Sequence, residues 1–407
     1  MNPLNAIRQG ACRLDAATPP SRDRAVDALR AFAILGVVLG HWLVTALTAE
    51  GGALHTASPL RYMPWLAPIS WMFQTLAVFF LVGGHVAARS HASARARGLT
   101  YPQWLRARLS RLLRPATALL ALWTVAGTGL LLTGTPLSTD HTLLKLALSP
   151  LWFLLVFAAL TAATPLVSRL HPLWPLAVVL HVDVLRFGLH TGPSWLGWVN
   201  VAAGWLVPYT LGTTWSRGEL ETRRAAWALL LGGTTATAAL VIGAGYPASM
   251  VGVPGAPVSN LDPPTLAAVT FGVAQCGLAL LLRDRLRGAM RRPLLWAGVA
   301  LVNLSAMTVF LWHQTALMAT TATALMAGRL PGLHTPPDSL TWVLARLGWL
   351  PVFALVLALC WTAFRSIEQE PRRRAPAAGA RVPRRRRRVV RAHRALDGEA
   401  AGVVRRA

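Results

Sequence analysis

The chain has 407 residues, of which 54 % are hydrophobic and 14 % charged, and its formal net charge is +25. Soluble globular proteins contain about 25 % charged residues, so this composition excludes a soluble globular enzyme. The charge alone would suit a nucleic-acid partner, but such a protein keeps its basic residues on a water-facing surface. Most of this chain is too apolar to form one. Repeated apolar stretches of about 20 residues instead predict a polytopic membrane protein.

Ten apolar segments follow one another and predict an all-α fold of about ten transmembrane helices. They cover residues 27–47, 69–88, 115–134, 149–166, 172–188, 198–215, 225–244, 264–282, 299–326 and 342–364. The first follows a polar, basic head and is too long for a signal-peptide core, so we expect an uncleaved span. Ten spans place both termini on one side of the membrane.

The distribution of lysine and arginine predicts which side this is. With the N-terminus inside, 34 of the 40 basic residues fall in cytoplasmic segments, and only Arg61, Lys145 and Arg329 fall in outside loops. Basic residues collect in short cytoplasmic loops, so both termini are predicted to be cytoplasmic in a multi-pass protein of the cell membrane.

This orientation divides the chain into three parts. They are a basic cytoplasmic segment (1–24), a transmembrane domain (25–365) and an Arg-rich cytoplasmic tail (366–407). The tail has few bulky apolar residues, so we expect it to be disordered. It either binds anionic lipid headgroups or only fixes the orientation of the chain.

The first span carries ionisable residues, which are costly in a membrane and therefore functional candidates. Eleven helical steps separate Arg30 from His41, which returns the second side chain to within about 20° of the first and raises it about 16 Å. Both thus lie on one stripe, with Arg30 at the cytoplasmic edge and Asp27 one turn before it, able to pair with it. The stripe suits a substrate with a charged part at the surface and a reactive end reaching inward. The alternative is a snorkelling Arg30 and a structural His41.

Two later spans also carry ionisable groups. Asp183 and Arg186 are one turn apart in the fifth span, where they form either a self-neutralising pair or part of a polar acceptor pocket. His313 lies in the outer half of the ninth span and either handles a proton or makes a hydrogen bond between helices. The three cysteines have no metal or redox spacing, so we expect no metal site.

Several motifs recur in a fixed order along the chain. They are Arg30-x10-His41, Phe79-Phe80-Leu-Val-Gly-Gly, the arginine cluster that leads into Pro115, Leu151-Trp-Phe-Leu, and Ser305 to His313 in the ninth span. This ordered set resembles the membrane-bound acyltransferase 3 family over residues 22–365. Its members O-acylate sugars, glycans and some natural products, and they have about ten spans with both termini inside. One departure is His85, which stands where the family commonly has an aromatic residue after a Ser-Gly pair.

The resemblance implies a cytoplasmic acyl-CoA donor, usually acetyl-CoA, with no bound cofactor. The acceptor would be a hydroxyl of a carbohydrate, an envelope glycan or a glycosylated natural product. Guanidinium groups bind phosphate bidentately, so CoA is expected to contact Arg108, Arg111 and Arg114. Their alternative role is that of ordinary positive-inside arginines. Partners would then be acyl-CoA, the acceptor and the bilayer, without nucleic acid.

The resemblance also assigns roles to residues in the spans. His41 matches the family's catalytic histidine, as general base or as acyl carrier, and Arg30 would orient the donor. His313 would be a second catalytic group, and Asp183 with Arg186 would bind the acceptor. The rival function is a transporter or flippase whose buried histidine and Asp/Arg groups relay protons or bind cargo. Such proteins often contain internal repeats, and none is evident in the sequence.

Overall fold

The computed structural model describes residues 3–368, most of which are helical. The helices are α1 (Pro3–Ala16), α2 (Arg24–Val44), α3 (Pro59–Tyr62), α4 (Ala67–Ser70), α5 (Leu76–Ala96), α6 (Tyr101–Leu132), α7 (Leu137–Ala162), α8 (Thr164–Val167), α9 (Leu173–Asp183), α10 (Val199–Ser216), α11 (Arg223–Ala238), α12 (Leu266–Ala289), α13 (Pro293–Leu304), α14 (Ala306–Ala324) and α15 (Leu340–Glu368). The strands β1 (Ala46–Glu50) and β2 (Ala53–Ala57) form an antiparallel hairpin after α2. The all-α prediction is confirmed.

Six helices are long and apolar enough to cross a membrane, and the bent pair α13 and α14 would make a seventh span. These six are α2, α6, α7, α11 with its π-helical extension, α12 and α15. The polytopic membrane fold is thereby confirmed, whereas the number of ten is not. The other predicted spans coincide with α5, α9 and α10, which are helical. Helix α10 is buried along most of its length, and buried membrane helix interfaces favour small and polar residues over lipid-like ones.

Three elements differ from their predicted bounds. Helix α6 begins at Tyr101, so the arginine cluster lies on the helix itself. Helix α7 begins at Leu137, twelve residues before the predicted span, and therefore carries Lys145, which we had expected in a loop. The ninth span is broken at Ser305, where α13 and α14 meet at an angle of 73°. The Ser305 hydroxyl donates to the Leu301 carbonyl at 2.6 Å, which satisfies the backbone at the end of α13.

The predicted tail lies almost wholly outside the described residues. Helix α15 continues through Glu368, so the first three residues assigned to the tail, 366–368, are helical.

The N-cap Asp23 holds the end of α2 that we expect to face the cytoplasm. Asp23 accepts from the Ala25 amide at 3.1 Å and from the Arg283 guanidinium of α12 at 3.2 Å. Burial works to raise the pKa of the Asp23 carboxyl, but the hydrogen bonds from Arg283 and the Val26 amide outweigh it and hold that pKa below its usual value. The turns that lead to Arg30 are therefore fixed in place.

Helices α5 and α10 approach each other closely at the centre of the bundle. A Cβ atom on Gly84 would overlap the carbonyl oxygen of Tyr209, and one on Gly212 would overlap that of Leu81. The missing side chains allow this approach, and next to it the rings of Phe80 and Trp205 stack at 5.0 Å between centroids.

Replacing Gly212 by alanine is expected to destabilise the bundle by about 2 kcal/mol, because α5 and α10 must separate to admit the methyl group. The matched control is Gly232→Ala in α11, where an added Cβ meets no atom within 4 Å. There the gain in helix propensity is expected to leave stability unchanged or slightly higher. Thermal unfolding of both purified variants in one detergent measures the difference, and equal melting temperatures would contradict the close contact.

Candidate active site

A cavity of about 470 Å³ lies between the end of α2, strand β2, helices α7 and α14, and the loops at residues 70–74 and 251–254. Helix α2 contributes His41 to its wall, and α14 contributes His313 and Gln314. Other polar lining groups are serine, threonine, glutamine, histidine and lysine, and no aspartate or glutamate of residues 3–368 lines it. The cavity lies at the end of α2 that the arginine distribution predicts to face away from the cytoplasm.

His41 lies in the last turn of α2 and contacts Gln314 across the helix interface. Its Nδ1 atom is 3.1 Å from Nε2 of Gln314. The amide NH₂ donates, so Nδ1 accepts and the ring proton is on Nε2. The oxygen of the Gln314 amide is buried and has no hydrogen-bond partner in the described part of the chain. Rotation of this amide by half a turn would bring the oxygen against Nδ1 of His41. That arrangement moves the proton to Nδ1, so that the lone pair on Nε2 can accept a proton.

His313 is fully buried, and its tautomer is set by the backbone. Its Nδ1 atom lies 2.6 Å from the Phe310 carbonyl oxygen, and since a carbonyl only accepts, Nδ1 carries the proton. The Nε2 lone pair is buried and has no hydrogen-bond partner among residues 3–368. The ring centroid of His313 is 5.0 Å from that of His41. The structure thus brings the two predicted catalytic histidines together in one cavity.

Hydrogen bonds to the backbone hold the end of α2 that carries His41. The indole N–H of Trp42 donates to the His313 carbonyl at 3.0 Å. Arg346 of α15 is fully buried and donates to the carbonyls of Trp42 at 2.6 Å, Gly332 at 2.9 Å and Thr45. Its guanidinium also lies between the rings of Trp342 and Phe353, 5.4 and 4.8 Å from their centroids.

Arg30 lies at the opposite end of the same stripe. It lines a hollow of about 10 Å³, which has room for about one water molecule. Phe153 of α7 and Phe310 of α14 line both this hollow and the cavity of His41. Their ring centroids are 5.0 Å apart. Arg30 and His41 therefore lie on a common axis that is interrupted by this phenylalanine pair.

The arginines of α6 are not equivalent. Arg108 is partly buried and interacts electrostatically with Arg30, Arg111 and Tyr209. Arg114 is exposed and is not one of the charges that act on Arg108. The structure therefore groups Arg30, Arg108 and Arg111, and it places Arg114 further along the helix. Asp27 accepts from Arg22 at 2.6 Å.

Asp183 and Arg186 do not line the cavity of His41. Asp183 is 2 % exposed and accepts from Asn200 at 2.9 Å, from the Tyr246 hydroxyl at 3.1 Å and from the Leu266 amide at 2.7 Å. These bonds tie α9 to α10 and to the start of α12. Arg186 lies over the ring of Phe187 at 4.8 Å, and its Nη1 atom is buried without a hydrogen-bond partner within the described chain.

Comparison with known proteins agrees with this membrane fold. A family model described as an acyltransferase domain matches residues 23–365. The chain belongs to the acyltransferase 3 family. No curated protein and no solved structure shows a significant match to it.

The acyltransferase 3 match covers nearly all of the described chain and includes every site residue predicted from the sequence. The resemblance seen in the motifs is thus confirmed, and the chain is a membrane O-acyltransferase. Sequence reasoning assigned no role to four residues of this region: Lys145, Phe153, Phe310 and Arg346. The signal for Arg346 was available, because a charged residue within a span is expected to have partners.

Proposed function

We propose that this acyltransferase moves an acyl group, usually acetyl, from cytoplasmic acyl-CoA to a hydroxyl of a carbohydrate-like acceptor in the outer cavity. This proposal rests on the axis that runs from Arg30 through Phe153 and Phe310 to the histidine pair. A donor whose anionic part stays at one end and whose thioester reaches the other would have this shape. The cell membrane is the proposed location, because the arginine distribution matches the positive-inside rule.

The donor end is supported by the grouping of positive charge. The charges of Arg30 and Arg111 act on the guanidinium of Arg108, so the three side chains lie close together. Bringing like charges together costs free energy that a bound polyanion recovers. The phosphates of CoA supply such a polyanion, and guanidinium groups are suited to bind them.

The reaction needs one proton to leave the acceptor and one to reach the thiolate. The acceptor oxygen attacks the thioester carbonyl, its O–H proton passes to a histidine, the C–S bond breaks, and the CoA sulfur takes up a proton. Two groups can carry this proton. One is Nε2 of His313, which has no hydrogen-bond partner among the described residues, and the other is the ring of His41, whose tautomer depends on the Gln314 amide. His41 would act either as the general base or as a transient acyl carrier.

The direct test uses the purified protein in phosphatidylcholine nanodiscs with acetyl-CoA labelled in the acetyl group. Envelope glycans and secreted metabolites of the host serve as acceptors, and labelled products are identified by mass spectrometry. Label on a hydroxyl oxygen of an acceptor supports the proposal. Absence of label with acetyl-, propionyl- and longer acyl-CoA would contradict it, and movement of an unmodified acceptor across a vesicle membrane would favour a transporter.

Replacing Arg108 by glutamine is expected to raise the KM for acyl-CoA about 10- to 100-fold with little change in kcat, because a charge-assisted phosphate contact contributes about 1.5–3 kcal/mol. The matched control is Arg106→Gln on the same helix, since Arg106 is exposed and does not act on Arg108. Initial rates at varied donor concentration measure both variants. An equal rise in KM for the two variants would mean that general surface charge, and not a specific contact of Arg108, explains the effect.

A further inference from the structure

The chain contains a single lysine, Lys145, while its other 39 basic residues are arginines. Lys145 is an exposed residue of α7 and lines the cavity that holds His41 and His313. No arginine lines this cavity. Lys145 is therefore the only lysine or arginine that lines the cavity within the described part of the protein.

Lys145 belongs to a polar stripe on α7. His141 precedes it by four residues and Ser149 follows it by four, and all three line the cavity. Residues four apart lie on the same helix face. Phe153, four residues further on, lines the cavity too and contacts Phe310. The stripe thus leads from Lys145 to the floor of the cavity over eight residues, or about 12 Å.

Three other basic residues at this end of the bundle lie against loops or backbone carbonyls. Arg329 donates to the Ala49 carbonyl of β1, and Arg346 donates to three carbonyls. Arg61 lies against the loop that contains Gly255. The side chain of Lys145 differs from those of Arg329 and Arg346, because across residues 3–368 it has no hydrogen bond and no ion pair.

No carboxylate within the described chain shares the cavity with Lys145. Asp140 is its nearest acidic neighbour along α7, but that side chain is buried against Gly127 of α6. The described lining of the cavity therefore contains a lysine and no carboxylate. Such a lining favours an anionic ligand and disfavours a cationic one.

We propose that the acceptor carries an anionic oxygen group, a carboxylate or a phosphate, which Lys145 and His141 bind at the mouth of the cavity. This inference rests on the proposed function and adds the charge of the substrate to it. The anion occupies the outer part of the α7 stripe, and the reacting hydroxyl lies deeper, beside His41 and His313. Lysine suits this position because its compact ammonium group donates to one or several oxygens without a fixed geometry.

The single lysine gives a direct measure of occupancy. The full chain in phosphatidylcholine nanodiscs, whose lipid has no primary amine, is treated with an amine-specific reagent, and modification of Lys145 is followed by mass spectrometry. Methyl glucuronide and glucose 6-phosphate are expected to slow the modification about fivefold at saturation, while methyl glucoside leaves it unchanged. The α-amino group of the chain is the internal control, and its rate stays constant.

Three results would overturn the proposal. The first is equal protection by the glucuronide and the neutral glucoside, and the second is no protection by either anion. The third is slower modification of Lys145 in phosphatidylglycerol nanodiscs than in phosphatidylcholine nanodiscs when no saccharide is present. This result would place Lys145 at the membrane surface. Protection by the phosphate sugar alone, or by the uronide alone, supports the subsite and identifies its anion.

A transfer assay separates this inference from the proposed function. Lys145→Met is expected to lower the ratio of kcat/KM for the anionic acceptor to that for its neutral counterpart about fivefold, and Lys145→Arg is expected to preserve the ratio. Transfer with an unchanged ratio in Lys145→Met would overturn the subsite and leave the acyltransferase function standing. Protection of Lys145 without any transfer would support the subsite and contradict the proposed donor or acceptor.

Discussion

Replacing His41 by alanine is expected to lower kcat/KM for acyl transfer by about 10²- to 10⁴-fold, the range that a positioned general base contributes. The expectation depends on its place in the cavity, with its ring 5.0 Å from that of His313 and its Nδ1 atom against Gln314. Donor binding should change little, because the grouped arginines are at the other end of the axis. Initial rates with labelled acyl-CoA, together with equilibrium binding of CoA, separate the two effects.

The matched control for this substitution is His181→Ala, since His181 is exposed on α9 and does not line the cavity. It is expected to keep wild-type activity. Added imidazole should partly restore His41→Ala, because the small base can enter the space that the side chain leaves. Wild-type rates in His41→Ala would remove His41 from the mechanism and leave His313 as the only histidine of the pair.

The two possible roles of His41 predict different intermediates. An acyl carrier would become labelled when the protein meets labelled acyl-CoA without acceptor, and it would release one CoA per protein in a burst. A general base would do neither, and release of CoA would begin only when acceptor is added. Rapid quenching followed by mass spectrometry of the peptide that contains His41 distinguishes the two.

Much of the fold could be predicted because membrane insertion restricts the sequence strongly. Most of each apolar segment is helical, since backbone groups in lipid must be satisfied within the segment. The break at Ser305 could not be predicted, because the apolar run continues through it and the bend is set by packing against other helices. The early start of α7 was missed for the opposite reason: its first turns face the polar cavity and are therefore not apolar.

The candidate site was predictable in part. The stripe of Arg30 and His41 follows from helix geometry alone, and both residues line spaces that meet at the phenylalanine pair. The pairing of His41 with His313 could not be derived from spacing, because it depends on how α2 and α14 pack. A charged residue within a span is not always part of a binding site. Asp183 accepts three hydrogen bonds that tie helices together, and Arg186 also lies outside the cavity of His41.

Replacing Arg346 by methionine is expected to destabilise the protein by about 3–5 kcal/mol. The substitution removes the donor from two buried carbonyls and one partly buried carbonyl. Each such loss costs about 1–3 kcal/mol, partly offset because a buried charge is removed. Two of these carbonyls belong to Trp42 and Thr45 at the end of α2, so His41 should also lose its fixed position. We therefore expect both a lower melting temperature in detergent and a lower kcat in the molecules that remain folded.

Two further variants test whether this geometry, and not charge alone, makes Arg346 important. Arg346→Lys keeps the charge, but one ammonium group cannot reach carbonyls on α2 and at Gly332 with the fixed fork of a guanidinium, so it should recover only part of the stability. Arg329→Met removes a basic residue from the same end of the bundle, where the side chain is exposed and donates to the Ala49 carbonyl. Its free energy of unfolding is expected to lie within about 1 kcal/mol of the wild-type value. Equal melting of Arg346→Met and Arg329→Met would mean that the buried guanidinium does not hold α2 in place.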